Sequence, residues 1–302
     1  MQVYRDVTEF GKNTAVALGL FDGVHLGHRA VIECATSQKK NGLVPAVLTF
    51  STDHLIPRRK QGMKRILTDR LRFAYLEQLG IEVVEMPAFE RIQNFSPEEF
   101  VERILVKALH AKVVACGYDF RFGKDAAGDI HLLRTLCDRF GIRLLAVPVL
   151  LDEGKPVSST RIRHCLAEGD IPVANRLLGY DYCIDFEVAH GLEIGRKIGI
   201  PTINQIYPEQ FVIPRFGVYA SYAIVEGKRY KSITNVGVKP TIAGERFPLA
   251  ETYIIGVGAH LYGQNIKVSF KEFVRGERKF AGIDELAAEI RANIEQIKRM
   301  PY

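Results

Sequence analysis

Along residues 1–180, short apolar runs alternate with stretches whose apolar positions recur every three to four residues. The runs Ala15–Leu20, Ala46–Phe50, Glu82–Met86, Lys112–Cys116 and Leu144–Val149 predict strands. His28–Asn41, Asp69–Leu79, Pro97–Leu109 and Ile130–Phe140 predict the helices between them. Strand and helix in alternation predict a doubly wound α/β domain, a parallel sheet with helices on both faces. Two further helices are predicted over Ser159–Glu168 and Ile171–Leu178. After about Gly179 the texture changes to β-rich runs punctuated by Gly and Pro: Tyr182–Val188, Gly217–Val225, Tyr230–Val236, Ala250–Val257 and Ile266–Phe273. That pattern predicts an antiparallel barrel or sandwich. The last stretch, Ile283–Arg299, puts Leu286, Ile290, Ile294 and Ile297 on one helical face, suited to packing across the barrel. The boundary is expected between Leu178 and Ile184, giving domains 1–180 and 181–302.

Composition narrows the classes. A chain of 302 residues is comfortable for two cores. No apolar run approaches the roughly 20 residues of a membrane helix. Met1–Asp6 carries Arg5 and Asp6 rather than the apolar core of a secretory signal. The five cysteines, Cys34, Cys116, Cys137, Cys165 and Cys183, are odd in number and form no CxxC pair. This argues against a disulfide framework or zinc site and for a reducing cytoplasm. The net charge of +6 is spread out: residues 1–180 hold 25 Lys/Arg against 21 Asp/Glu, and the remainder 16 against 14. A nucleic-acid binder would concentrate its basic residues, so neither a nucleic-acid nor a membrane partner is expected. Small anionic ligands suit this distribution, as does a plain solvated surface.

The first chemical constellation is Gly19–His28, GLFDGVHLGH, placed after the first strand and opening a helix. Ligands of open parallel sheets bind at the carboxyl ends of strands. Gly19, Gly23 and Gly27 allow close backbone approach, and a helix N-terminus favours phosphate. His25 and His28, three apart, can face one spot and stabilise charge that builds on phosphate oxygens. Two structural histidines beside a glycine turn are the bland alternative, and metal ligation by the pair is a third.

This run resembles the HxGH signature of the nucleotidylyltransferase superfamily. Its fuller form, with Phe21 and Asp22, is similar to the FMN adenylyltransferase module of bacterial riboflavin kinase/FAD synthetases. Gly117–Gly123, GYDFRFG, is similar to that family's flavin- and nucleotide-contacting loop, which points to Asp119 and Phe120. Val157–Arg163, VSSTRIR, resembles the superfamily's second phosphate motif. There Ser159 or Thr160 can cap a helix, and Arg163 can bind an ATP phosphate bidentately.

The second constellation lies in the β-rich half: Gly191–Asn204 (GLEIGRKIGIPTIN), Asn235–Thr241, Glu251 and Phe273–Phe280. Thr202 and Asn204 offer hard oxygen ligands suited to Mg²⁺ held with ATP phosphates. Gly195 and Gly199 would form a flap over the nucleotide, and Glu251 is the candidate base for an attacking alcohol. Together these runs resemble the riboflavin kinase module of the same family. The resemblance implies a six-stranded antiparallel β-barrel, Mg²⁺ and ATP. It also implies nucleotide or flavin contacts at Gly195, Arg196, Asn235 and Arg275. Departures fall at Ile255–Gly263, where family acidic residues are absent and Ala259 and His260 stand; at Ile203 within PTIN; at Arg275-Gly276-Glu277; and at Asn293.

The expectation is a cytoplasmic transferase that phosphorylates riboflavin to FMN and then adenylylates FMN to FAD with release of pyrophosphate. Its partners are riboflavin, FMN and ATP. A second reading keeps the adenylyltransferase and silences the kinase, on the altered Ile255–His260 stretch. A third is a flavin- or nucleotide-binding regulator without turnover. A fourth is a nucleotidylyltransferase acting on a pantetheine or nicotinate substrate.

Overall fold

The computed structural model describes residues 1–7, 9–50, 62–191, 195, 199–240, 246–258 and 261–301. The chain forms two compact units: Met1–Met63 with Asp69–Ser158, and Lys64–Thr68 with Ser159–Tyr302. Helices Ser159–Glu168 and Ile171–Leu178 therefore cluster with the β-rich half.

The first unit is built on six parallel strands: β1 (Gln2–Tyr4), β2 (Thr14–Leu18), β3 (Val44–Leu48), β4 (Val83–Glu85), β5 (Ala111–Gly117) and β6 (Arg143–Val147). Their order is β1-β4-β3-β2-β5-β6. All five residues of β2 are buried, as expected of a parallel strand covered on both faces. The connecting helices include α1 (Leu26–Thr36), α2 (Asp69–Gln78), α3 (Phe100–Ala108) and α4 (Ile130–Arg139). In α3 the buried set Phe100, Val101, Ile104, Leu105 and Ala108 forms one face against the core. A capping box at Ser96 and Glu99 starts the turn before it. The order reverses at β2, whose neighbours β3 and β5 lead to opposite edges, and such a switch point opens a crevice at the strand carboxyl ends.

After a small hairpin, β7 (Leu151–Asp152) and β8 (Lys155–Pro156), come α5 (Ser159–Glu168) and α6 (Ile171–Leu178). The second unit then forms a seven-stranded antiparallel sheet, not a six-stranded one. Its strands are β9 (Cys183–Ile184), β10 (Val188–Ala189), β11 (Ile203–Ile206), β12 (Gly217–Val225), β13 (Lys228–Pro240), β14 (Arg246–Ile254) and β15 (Lys267–Gly276). They run in the order β10-β11-β14-β13-β12-β15-β9. The five predicted runs become seven strands because Tyr182–Val188 splits into the two-residue strands β9 and β10, and β11 forms over Ile203–Ile206, where no strand is predicted. Only Asp185, Phe186 and Glu187 separate β9 from β10, so one short link joins the two edges and the sheet must curl. Helix α7 (Ile283–Arg299) lays Ile290, Ile294 and Ile297 on the outer face, against Val218, Ala220, Ile233, Tyr253 and Val274.

Candidate functional site

In the first unit, Gly19–His25 links β2 to α1 at the switch point. His25 is the N-cap of α1: its Nδ1 accepts the His28 backbone N–H at 3.2 Å. A nitrogen that accepts carries no proton, so the neutral His25 ring bears its N–H at Nε2. The His25 and His28 rings stack with centroids 3.6 Å apart and planes 15° apart, and Phe21 meets His28 edge-on at 5.3 Å. Gly27 leaves room for this: a Cβ there would stand 3.2 Å from His25 Cε1. At Gly19 a Cβ would stand 2.9 Å from Cζ of Phe21, whose ring folds back over it. The loop is held under backbone strain, with φ of +53° at Phe21 and +35° at Val24, a region bulky and β-branched residues rarely enter. Asp22 is buried in the same loop.

Asp119 and Phe120 follow β5, the neighbour of β2. The Phe120 N–H donates to the Gly117 carbonyl at 3.0 Å, closing a tight turn. Phe120 stacks on Phe122 at 6.0 Å, and Phe122 is buried against Phe100. Tyr118 to Arg121 and Asp129 to His131 line an open cleft here. Asp129 caps α4, and the Leu132 N–H, followed by that of His131, holds its carboxyl below the usual range.

In the second unit Ser159 and Thr160 open α5, Ser159 half-buried and Thr160 exposed. Arg163 donates from Nε to the Lys64 carbonyl at 2.5 Å, so its guanidinium is anchored on the segment Lys64–Thr68.

The sheet register of this unit brings separated residues together. Asn204 on β11 pairs with Glu251 on β14, Glu251 with Asn235 on β13, Asn235 with Val218 on β12, and Val218 with Arg275 on β15. Residues directly opposite one another share a face. Asn204, Glu251, Asn235 and Arg275 thus form one row on the outer face, beside the apolar patch that α7 covers. Thr202 immediately precedes β11, and a Cβ on Gly195 would stand 3.6 Å from its Oγ1. The Ile200 N–H, two residues before Thr202, donates to the Gly195 carbonyl at 2.8 Å. A Cβ on Gly191 would collide with Nδ2 of Asn204. Arg196, Ala259 and His260 lie outside the described residues.

Some partners were not legible in the sequence. Arg275 donates from Nε to Asn293 Oδ1 at 3.1 Å and pairs with Glu289 at 3.1 Å, both on α7. The Glu277 carboxylate lies over Gly237, two residues from Asn235 along β13. Among the described residues no group of three or more His, Cys, Asp or Glu is disposed to hold a metal. The oxygen donors of Thr202 and Asn204 suit a hard ion that keeps most of its ligands from phosphate and water, the habit of Mg²⁺.

The family described as FAD synthetase matches residues 7–161, and that described as riboflavin kinase matches 178–301. The chain is 34% identical over 300 residues to the bifunctional riboflavin kinase/FMN adenylyltransferase of Bacillus subtilis (strain 168), covering 97% of this chain and 94% of that one. The chain belongs to the bifunctional riboflavin kinase/FMN adenylyltransferase family. A second member, from Escherichia coli (strain K12), is 34% identical over 279 residues, 91% of this chain and 88% of its own. A crystal structure described as a macrolide-efflux protein from Streptococcus pneumoniae aligns with TM-score 0.86 and 27% identity over 99% of each chain. Among the described residues no helix is long and apolar enough to cross a membrane. Family membership extends over both halves, so the resemblance read at Gly19–His28 and at Gly191–Asn204 holds for the whole chain.

Proposed function

We propose that this chain makes FMN from riboflavin and ATP with residues 181–302, and FAD from FMN and ATP with residues 1–180, in the cytoplasm. The observation that carries the reading is the fixed imidazole pair at the N-terminus of α1, at the sheet's switch point. In the adenylyl transfer, the FMN phosphate attacks the α-phosphate of ATP and pyrophosphate leaves. The Nε2–H of His25, the ring of His28 and the N–H groups opening α1 donate to the phosphate oxygens as charge develops. Arg163, with Ser159 and Thr160, binds ATP phosphate, and Gly19, Phe21, Asp22, Gly23, Asp119 and Phe120 hold the nucleotide and flavin.

In the phosphorylation, the Glu251 carboxylate accepts the proton of the riboflavin 5′-hydroxyl as that oxygen attacks the γ-phosphate. Thr202 and Asn204 would hold Mg²⁺ together with the ATP phosphates; when bound, that ion screens their charge. Gly195, Arg196, Asn235 and Arg275 contact nucleotide or flavin. The shared row of Asn204, Glu251, Asn235 and Arg275 favours a working kinase over a silent one.

The test is a product list from purified protein. Riboflavin with MgATP is expected to yield FMN and then FAD, and FMN with MgATP to yield FAD and pyrophosphate. FAD from FMN with nothing from riboflavin would refute the kinase half. No product from either substrate would refute the enzyme reading.

A further inference from the structure

Arg72 on α2 is 2% exposed, yet it carries a full charge and lies at the carboxyl ends of the central strands. Its Nη1 donates to the Leu20 carbonyl at 3.0 Å, with longer approaches to Thr49 Oγ1 at 3.4 Å and the Phe50 carbonyl at 3.5 Å. Its Nη2 pairs with Asp69 at 2.9 Å and reaches Met86 Sδ at 3.2 Å. Thr49 Oγ1 donates to the same Leu20 carbonyl at 3.0 Å. Two donors from two elements therefore converge on one main-chain oxygen.

That oxygen belongs to the residue before Phe21, where the chain turns into the left-handed region. A conformation of this kind persists only where its surroundings over-determine it. The neighbouring contacts act on either side of the same turn. The Gly19 N–H donates to the Leu48 carbonyl at 3.2 Å, and the Val24 N–H to the Phe21 carbonyl at 3.2 Å. A buried guanidinium with its own carboxylate adds a charge-assisted bond of fixed direction. The strained turn in turn sets where Phe21 stands against His28 and where α1 begins with His25.

We infer that Arg72, with Thr49 beside it, is a positioning residue for adenylyl transfer: it clamps the Leu20 carbonyl and so fixes the loop that presents His25 and His28. It does not touch substrate. The inference rests on the adenylyl-transfer reading above.

The experiment compares wild-type, Arg72→Gln, Arg72→Lys and Thr49→Val in the full chain, measuring FAD from FMN and, separately, FMN from riboflavin. A displacement of catalytic groups by about 1 Å costs on the order of 100-fold, so Arg72→Gln should lower kcat for FAD by about 30- to 100-fold, with KM for FMN within about threefold. Kinase turnover in the same preparation should equal wild-type. Lysine keeps the charge but not the fork, so Arg72→Lys should recover part of the loss. Thr49→Val should lower kcat by about 3- to 10-fold, one donor being lost. A kcat within about twofold of wild-type in Arg72→Gln, or a raised KM at unchanged kcat, overturns the inference. Should Arg72→Gln lose kinase activity as well, Thr49→Val decides, and its unchanged kcat overturns the inference. If wild-type itself makes no FAD from FMN, the underlying reading fails instead.

Discussion

His25 Nδ1 accepts the backbone N–H of His28, and the two rings lie stacked 3.6 Å apart. One imidazole thus serves two ends: its Nδ1 caps α1, and its Nε2–H points its remaining donor capacity elsewhere. The two roles are separable. Asparagine is a good N-cap but has no Nε2, so His25→Asn should retain stability within about 0.5 kcal/mol, while His25→Ala should lose about 1 kcal/mol. Both should lose FAD formation by about 100- to 1,000-fold, the range for removal of one donor to a developing anion. Urea unfolding and FAD formation from FMN measure the two effects independently. A His25→Asn protein with undiminished turnover would assign the residue to capping alone.

Glu251 occupies the middle of the row Asn204, Glu251, Asn235. Glu251→Gln keeps the shape of the side chain but cannot accept a proton. FMN formation from riboflavin should fall by about 100- to 10,000-fold, while FAD formation from supplied FMN is unchanged. Loss of both together would mean the substitution acts through folding.

The sequence made some of this visible and hid the rest for physical reasons. Strands β2 and β3, at the centre of the sheet, are legible because parallel strands covered on both faces read as unbroken apolar runs, and β4, β5 and β6 because shorter apolar stretches recur at the same spacing between helices. β1 is a three-residue edge strand, Gln2–Tyr4, mostly exposed, and leaves no such run. β11 is hidden by inverted polarity. Its buried Gln205 faces inward, donating to the Phe186 and Ile266 carbonyls at 2.5 and 2.8 Å, while Ile206 is only half-buried. Asn204, Asn235, Glu251 and Arg275 could each be named from motifs, but their common row depends on register, which spacing along the chain does not reveal. Arg72 was invisible for the same kind of reason: a lone arginine in a helix reads as surface until its burial is seen.

The thiols make a pH prediction. Burial pushes Cys116 and Cys137 up to about 12, with Cys137 adding to the shift at Cys116 and Asp138 to that at Cys137. In the unfolded chain both deprotonate near 9. The folded state therefore holds protons that the unfolded state releases, so stability is level below about 9 and falls as pH rises from about 9 to 12. Denaturant midpoints across that window should decline, and Cys116→Ala with Cys137→Ala should flatten the decline. At pH 8 a thiol reagent should modify neither residue in the native protein, with half-buried Cys34 the first to react.

Helix α7 does more than cover apolar surface. Glu289 and Asn293 hold the Arg275 guanidinium from one side, and Val218 packs beside it in the row shared with Glu251. Ion pairs this accessible contribute at most about 1 kcal/mol to stability, so Glu289→Ala should barely shift Tm. Its effect should fall on binding. With one partner removed, Arg275 samples other orientations, and KM for riboflavin or MgATP in the kinase reaction should rise by about 5- to 10-fold with kcat within about twofold. FAD formation from FMN should be unaffected. Arg275→Lys should show a similar KM effect, because a single ammonium cannot satisfy an amide oxygen and a carboxylate in the fixed fork that guanidinium offers. Unchanged KM values in both variants would reduce the helix to a cover over Val218 and Ile233, and would remove Arg275 from the binding row.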